Sequence, residues 1–270
     1  MLDIQIAAGS AAGRLHTLLG RNNQDAFAWA RTPDAVVAVV CDGCGSSPHA
    51  ETGAQIGARL VARALATRLA QGADPRRPEM WSEARAEVLD TIAGLAGVLG
   101  GDPAAAVADY LLFTIIGAVI TEDVVRCFSS GDGLIVVDGA PTVIGPFPDN
   151  APPYLAYALF EEQGEKYQFE LTEPVAASGV SSILIGTDGA ADLLRIEHRD
   201  VPGGGGKVGP LSRFWTDDRF FDEPDSLEGH LAALARDVER ADWEKRALET
   251  DPGLLLDDTT VVVLRRPSGD

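Results

Sequence analysis

AVVAVVCDG, residues Ala35 to Gly43, is an apolar run that stops abruptly at an acid and a glycine. A valine-rich run this short reads as a strand covered on both faces. The Asp-Gly step predicts a turn, which leaves Asp42 at the strand tip. Downstream the period changes. Glu51 to Ala70 carries Ile56, Leu60, Val61, Ala64, Leu65 and Leu69 at three- and four-residue steps, the spacing of one buried helical face. Pro75 and Pro78 interrupt it, Trp81 to Leu99 repeats it, and Gly100-Gly101-Asp102-Pro103 reads as its end. The longest apolar run, Tyr110 to Thr121, is too short to cross a bilayer and reads as a buried strand.

Leu111–Ile120, Val124–Ser129, Leu134–Val137 and Thr142–Ile144 are short and β-branched, with turns at Thr121-Glu122-Asp123 and Asp138-Gly139, the spacing of an antiparallel meander. Upstream, strands are expected around Ile4 and Ile6 and over Ala26–Ala30. Beyond a loop holding Pro146, Pro148, Pro152 and Pro153, strands are expected at Tyr167–Leu171 and Ser182–Thr187. A short helix is expected from Ala190, a flexible connection at Gly203–Gly206, an amphipathic helix over Leu227–Leu248 and a last strand at Thr259–Arg265. Clustered strands and paired helices, roughly ten and about four, point to β-sheets covered by helices rather than alternating βαβ units. No internal repeat or interdomain linker is visible, so residues 1–270 read as one domain.

The chain holds 46% hydrophobic and 23% charged residues, ordinary for a protein with a sizeable core. Its net charge of −19 would repel nucleic acid, and no Lys/Arg cluster overrides that locally. No stretch reaches the roughly 18 apolar residues of a membrane span. The N-terminus, with an early acid and no basic region, does not read as a secretory signal. A cytoplasmic protein, monomeric by default, is the expectation. Cys41, Cys44 and Cys127 cannot all pair within the chain, and their sparsity suits a reducing compartment.

Four acids share one local form, at the end of an apolar strand or in an Asp-Gly turn: Cys41-Asp42-Gly43, Gly131-Asp132-Gly133, Thr187-Asp188-Gly189 and Leu256-Asp257-Asp258-Thr259. A strand end projects its side chain to one sheet edge, and an adjacent glycine lets a ligand approach the backbone. Asp-Gly is a common turn dipeptide, so one instance would carry little weight. Repetition after long hydrophobic strands carries more. Carboxylate oxygens suit Mg²⁺ or Mn²⁺ far better than zinc. His16, His49, His198 and His230 lie in unrelated contexts. Gly203–Gly206 before Lys207 lacks the spacing of a phosphate loop.

In order and spacing, Asn23-Gln24-Asp25-Ala26, Val39-Val40-Cys41-Asp42-Gly43-Cys44-Gly45, Phe113-Thr114-Ile115-Ile116, Ser130-Gly131-Asp132-Gly133, Gly186-Thr187-Asp188-Gly189 and Asp257-Asp258-Thr259-Thr260-Val261 resemble the type 2C metal-dependent serine/threonine protein phosphatases. Asn150-Ala-Pro-Pro-Tyr-Leu155 looks like a divergent bacterial branch. The resemblance runs nearly end to end and implies an α+β fold, two packed antiparallel β-sheets flanked by paired α-helices. It implies hydrolysis of phosphoserine and phosphothreonine in proteins by a water activated between two Mg²⁺ or Mn²⁺ ions. Asp42 matches the aspartate that bridges both metals, and the Gly43 carbonyl a ligand of the second. Asp188 and Asp257 match ligands of the first metal. Asp132 sits where some members place a ligand for a third, weaker metal, and Asp25 matches an acid that supports the cluster from behind. A segment over about 145–180 stands where relatives carry a variable flap. A phosphoprotein substrate is implied, and a cognate serine/threonine kinase is the expected companion.

The chain departs from the family in places. Gly20 occupies the position of the arginine that grips the phosphate, which leaves Arg21, one residue later, as the phosphate-binding candidate, with His16 as another basic group. Gln24 replaces a glutamate, Cys44 stands at a position that varies among relatives, and Asp258 replaces a common asparagine. Two other readings follow: a catalytically weak or inactive module that binds a phosphorylated partner, and a thiol redox protein using Cys41 and Cys44.

Overall fold

Strands β1 (Gln5–Ala11), β2 (Asp25–Arg31) and β3 (Ala35–Asp42) open the chain, with a short helix α1 (Arg14–Leu19) between the first two. Helices α2 (Ala50–Ala70), α3 (Pro78–Leu99) and α4 (Pro103–Tyr110) follow. Then come β4 (Ile115–Thr121), β5 (Val124–Ser130), β6 (Gly133–Val137), β7 (Ala140–Ile144), β8 (Glu170–Leu171), β9 (Val175–Ala176) and β10 (Ser182–Gly186). The last part holds α5 (Leu193–Ile196), α6 (Arg213–Thr216), α7 (Arg219–Asp222), α8 (Ser226–Ala235), β11 (Val238–Asp242), β12 (Ala247–Asp251) and β13 (Thr259–Arg265). This computed structural model describes residues 2–161 and 165–267.

Two antiparallel sheets result. One runs β1-β13-β10-β6-β7; the other runs β2-β3-β4-β5-β8, with β9 also on β5. Strand alternation assigns each apolar residue to a layer. On β3, Val36, Ala38 and Val40 meet Ile116, Ala118 and Ile120 of β4, with Ile183, Ile185, Val262 and Leu264 of the first sheet, in an apolar layer between the sheets. The intervening Val37, Val39 and Cys41 face Ala54, Ala58 and Val61 of α2. On β10 and β13, Leu184, Val261 and Val263 turn outward to Leu227, Leu231 and Leu234 of α8. Both faces of the central strands are therefore covered, which is why those segments are apolar without interruption. This is the α+β sandwich expected from the sequence.

Several boundaries differ. The expected meander over residues 111–144 is divided between the sheets: β4 pairs with β5 and β6 with β7, while β6 pairs across with β10. The chain changes sheet at Gly131-Asp132-Gly133, where φ of +105° and +152° at the two glycines turns the backbone as no other residue could without strain. Tyr110 ends a helix instead of opening a strand. Asp102-Pro103, read as a terminator, is the start of α4, with the Asp102 side chain accepting from the Ala104 N–H at 3.2 Å and proline in the first turn.

The helix expected over Leu227–Leu248 stops at Ala235, and residues 238–251 form a hairpin. Asp237 enforces the break by accepting from the Gly253 N–H (2.9 Å) and the Arg14 Nε (2.5 Å). Asp242 then accepts the Glu244 and Lys245 N–H groups in the turn. Tyr167–Leu171 is strand only at its last two residues. Gly203–Gly206 forms a turn tied to the hairpin, the Gly203 N–H donating to Asp251 at 2.9 Å. No single helix is long and apolar enough to cross a membrane.

Candidate metal centre

The register of β2 on β3 sets Asp25 opposite Asp42. In the other sheet, β10 ends at Gly186, paired with Val261 of β13 and Leu134 of β6. Thr187-Asp188, Asp257-Asp258 and Asp132 therefore emerge from adjacent strands at one end of the sandwich. Antiparallel pairing brings together acids that lie far apart in the chain. Asp25 and Asp132 are buried, Asp42 and Asp188 half-buried, and Asp257 exposed.

The supporting hydrogen bonds run between the sheets. Thr187 Oγ1 donates to Asp25 Oδ2 at 2.6 Å and accepts from the Thr260 N–H at 3.1 Å. The Asp25 backbone N–H donates to Asn23 Oδ1 at 3.0 Å. Asp258, the residue after the exposed Asp257, points inward instead. It accepts from the Gly13 N–H (2.7 Å) and the Gln24 N–H (2.6 Å), and His16 Nδ1 lies 2.8 Å from its Oδ2, at an angle too poor for a hydrogen bond. Asp258 thus ties together the segments before β2 and β13.

Like charges crowd this end. Burial pushes the Asp42 carboxyl well above the ordinary carboxylate range, and Asp25, Asp188, Asp257 and Asp132 push the same way. Burial likewise raises Asp25, opposed by the Thr187 hydrogen bond and reinforced by Asp258. Asp188 rises to about 6 through burial, Asp257 and Asp132, and Asp132 rises through burial. Asp25 Oδ1 is buried with no partner among the described residues. The Gly43 carbonyl accepts no hydrogen bond there either, and a Cβ at Gly43 would sit 2.2 Å from the Ala50 carbonyl oxygen, so only glycine fits that loop. A cluster of carboxylates disfavoured as anions, one with an orphaned oxygen, beside a free carbonyl is the donor set a hard divalent cation relieves. The residues fit such an ion.

Asp42, Asp188 and Asp257 do not all come within 4.8 Å of one another. Among the described residues the set that does is His16, Asp257 and Asp258. Arg21 is exposed just past the left-handed Gly20 that caps α1, and its side chain makes no ion pair among the described residues. Thr187 and Tyr154 carry no local sequence signal of a role, and Asp258 stands in the sequence only as a replacement for a common asparagine. Tyr154, from the segment matching the flap, is buried beside Cys44, Asp42 and Asp132, and burial, then these neighbours, keep its phenol protonated. The Asp-Asp doublet was the one local signal for Asp258, since only one of two adjacent side chains can face outward.

The three cysteines are free. Cys41 is fully buried against the helices, and burial, Asp25 and Asp42 push its thiol up, away from reactivity. Cys44 is half-buried; against the upward push of burial, hydrogen bonds from Ser46, Tyr154 and Ser47 lower its thiol.

Residues 12–233 match the protein phosphatase 2C family. No curated protein gives a significant match. Among solved structures, the catalytic domain of the serine threonine protein phosphatase PstP, in complex with two manganese ions, is 16% identical with a TM-score of 0.52, over 98% of this chain and 99% of that one. A bacterial serine phosphatase is 13% identical with a TM-score of 0.53, over 99% of each chain. A C. elegans sex determining protein is 13% identical with a TM-score of 0.57, over 99% of this chain and 66% of that one. At these identities the likeness to solved structures is one of fold.

Proposed function

This chain belongs to the protein phosphatase 2C family, and from that premise we propose that it hydrolyses phosphoserine and phosphothreonine monoesters in proteins. The observation that carries this reading is the convergence of Asp25, Asp42, Asp132, Asp188 and Asp257 at one sandwich end, where burial and neighbouring acids disfavour the anions of Asp25, Asp42 and Asp188 until a cation joins them.

In this reading Asp42, Asp188, Asp257 and the Gly43 carbonyl hold two Mg²⁺ or Mn²⁺ ions, with Asp132 available to a third. When bound, such ions activate a water for in-line attack on phosphorus and offset charge on the phosphoryl oxygens. The chain's own residues do the rest. Thr187 fixes Asp25 by occupying one carboxylate oxygen, which leaves the other buried and without a partner among the described residues. Asp258 anchors the Asp257 loop to the backbone at Gly13 and Gln24. Tyr154 and its flap segment wall the side occupied by Asp42 and Asp132, and the protonated phenol is a donor there. Arg21, exposed and in no ion pair among the described residues, is the basic group available to a phosphate in this reading. Residues 1–270 form one domain in this reading, acting as a monomer on a phosphoprotein, with a cognate kinase as companion.

The test is hydrolysis of p-nitrophenyl phosphate with Mn²⁺, with and without chelator. We expect chelator-sensitive turnover. Asp42→Asn should lose more than the roughly 10–100-fold in metal affinity that a merely supporting residue contributes. Metal-replete, folded protein without turnover would sink the enzyme reading. It would favour a phosphoprotein-binding module, a reading consistent with glycine at position 20.

A further inference from the structure

Helix α1 buries none of its residues, yet it is built largely of leucine. Leu15, Leu18 and Leu19 are 50%, 61% and 69% exposed, and Leu256, against which α1 begins, is 46% exposed. Leu18 also lines a groove of about 490 Å³ between α1 and α8, with Ala11, Ala232 and Ala235 along it and Arg14, Glu228 and Asp237 at its walls. On a chain carrying −19 the three leucines of α1 form an exposed apolar patch.

Its position is fixed by the candidate metal centre. The Arg14 and Leu15 N–H groups donate to the Leu255 and Leu256 carbonyls at 2.9 and 3.0 Å. His16 lies against Asp258, and a Cβ at Gly13 would sit 2.2 Å from the Asp257 carbonyl carbon. Helix α1 therefore starts against the Leu255–Asp257 backbone, so its first turn, with Leu15, lies beside the segment that carries Asp257.

We propose that α1 and the adjoining groove receive apolar side chains of the substrate polypeptide close to its phosphorylated residue, so that the enzyme selects phosphosites flanked by leucine-like residues. This rests on the phosphatase reading and adds a substrate class to it. Size selects the occupant. At 1.5 Å per residue, six helical residues span about 9 Å, room for a few side chains. A stable protein dimer needs about 800 Å² on each partner, well beyond a four-leucine patch. An extended peptide advances about 3.3 Å per residue, so residues two or three places from the phosphate lie about 7–10 Å from it, which sets the positions to test.

The experiment uses the full chain with Mn²⁺ and two short phosphothreonine peptides of equal length and charge. One carries leucines two and three places either side of the phosphothreonine, the other serines there. We expect kcat/KM to favour the leucine peptide by about tenfold, the value of roughly half-burying two leucines. In L15S/L18S/L19S, changes at exposed positions that the fold tolerates, the preference should fall below about twofold. No preference in the wild type, or one that survives in the triple variant, overturns the proposal. If neither peptide is cleaved, it is the phosphatase reading that has failed. Fluorescence anisotropy with the same uncleaved peptides then decides: tighter binding of the leucine peptide, lost in the variant, supports the docking face, and equal binding overturns it. Concentration-dependent association of the wild type that the variant abolishes would assign the face to a second copy and also overturn the proposal.

Discussion

At Thr187 one hydroxyl serves two partners, donating to Asp25 Oδ2 and accepting from the Thr260 N–H, with the residue itself fully buried. Thr187→Val keeps the shape and strands both partners. A buried group left unsatisfied costs about 1–3 kcal/mol, more when charged, so the urea midpoint should fall accordingly, while Thr187→Ser should restore most of it. Asp42 predicts the opposite sign. Its carboxylate is pressed by four neighbouring acids, so Asp42→Asn should raise the melting temperature of metal-free protein while removing turnover. A residue that weakens the fold but is needed for activity is the signature expected of a functional site. Differential scanning fluorimetry with and without chelator, beside the p-nitrophenyl phosphate assay, separates the two effects.

At the scale of elements, α2 packs by close approach at its glycines. A Cβ at Gly57 would fall 2.4 Å from the ring of Phe113, which is itself buried. In an exposed helix Gly→Ala gains about 1 kcal/mol. Here overpacking costs about 1–3 kcal/mol against that gain, a net loss of up to about 2 kcal/mol, so Gly57→Ala should melt a few degrees lower. The cluster of α6, α7 and α8 carries a pH dependence. His230 lies against Phe214 and Phe220, and burial, then Arg213 and Arg219, lower its pKa to about 4, with Asp217 opposing. Above pH 6.5 the imidazole is neutral folded and unfolded, so unfolding there takes up no proton at His230. As pH falls from 6.5 toward 4 the unfolded chain takes up a proton that the folded chain refuses, so stability declines, by at most about 3 kcal/mol. Urea titrations over that range should show the decline, and His230→Phe should flatten it.

For the whole molecule, a net charge of −19 concentrated partly at one end makes cations the main external control on stability. Saturating Mn²⁺ should raise the melting temperature, with about 2.7 kcal/mol of stabilisation at a hundredfold excess over Kd. If residues 1–270 are one domain, the transition should stay single with and without metal; two transitions would divide the chain. Much of this was legible in the sequence. Strands buried on both faces must be apolar throughout, so Ala35–Cys41, Ser182–Gly186 and Thr259–Arg265 announced themselves, and the acids at their ends marked the centre. The short α1, the α4 start at Asp102-Pro103 and the hairpin after Ala235 were not legible, because partners distant in sequence or a single cap decide them. The sequence by itself determined the two-faced strands, the helical covers and the acids at strand ends, since apolarity and periodicity are local properties. Only the tertiary structure decided which strands share a sheet, that Asp25 faces Asp42, that Asp258 turns inward and that α1 lies beside Asp257. The first three depend on strand pairing and on contacts such as the Gly13–Asp258 hydrogen bond, and the joining of the two sheets at the centre on Thr187 with Asp25, bonds between residues 245 and 162 positions apart that no local pattern encodes.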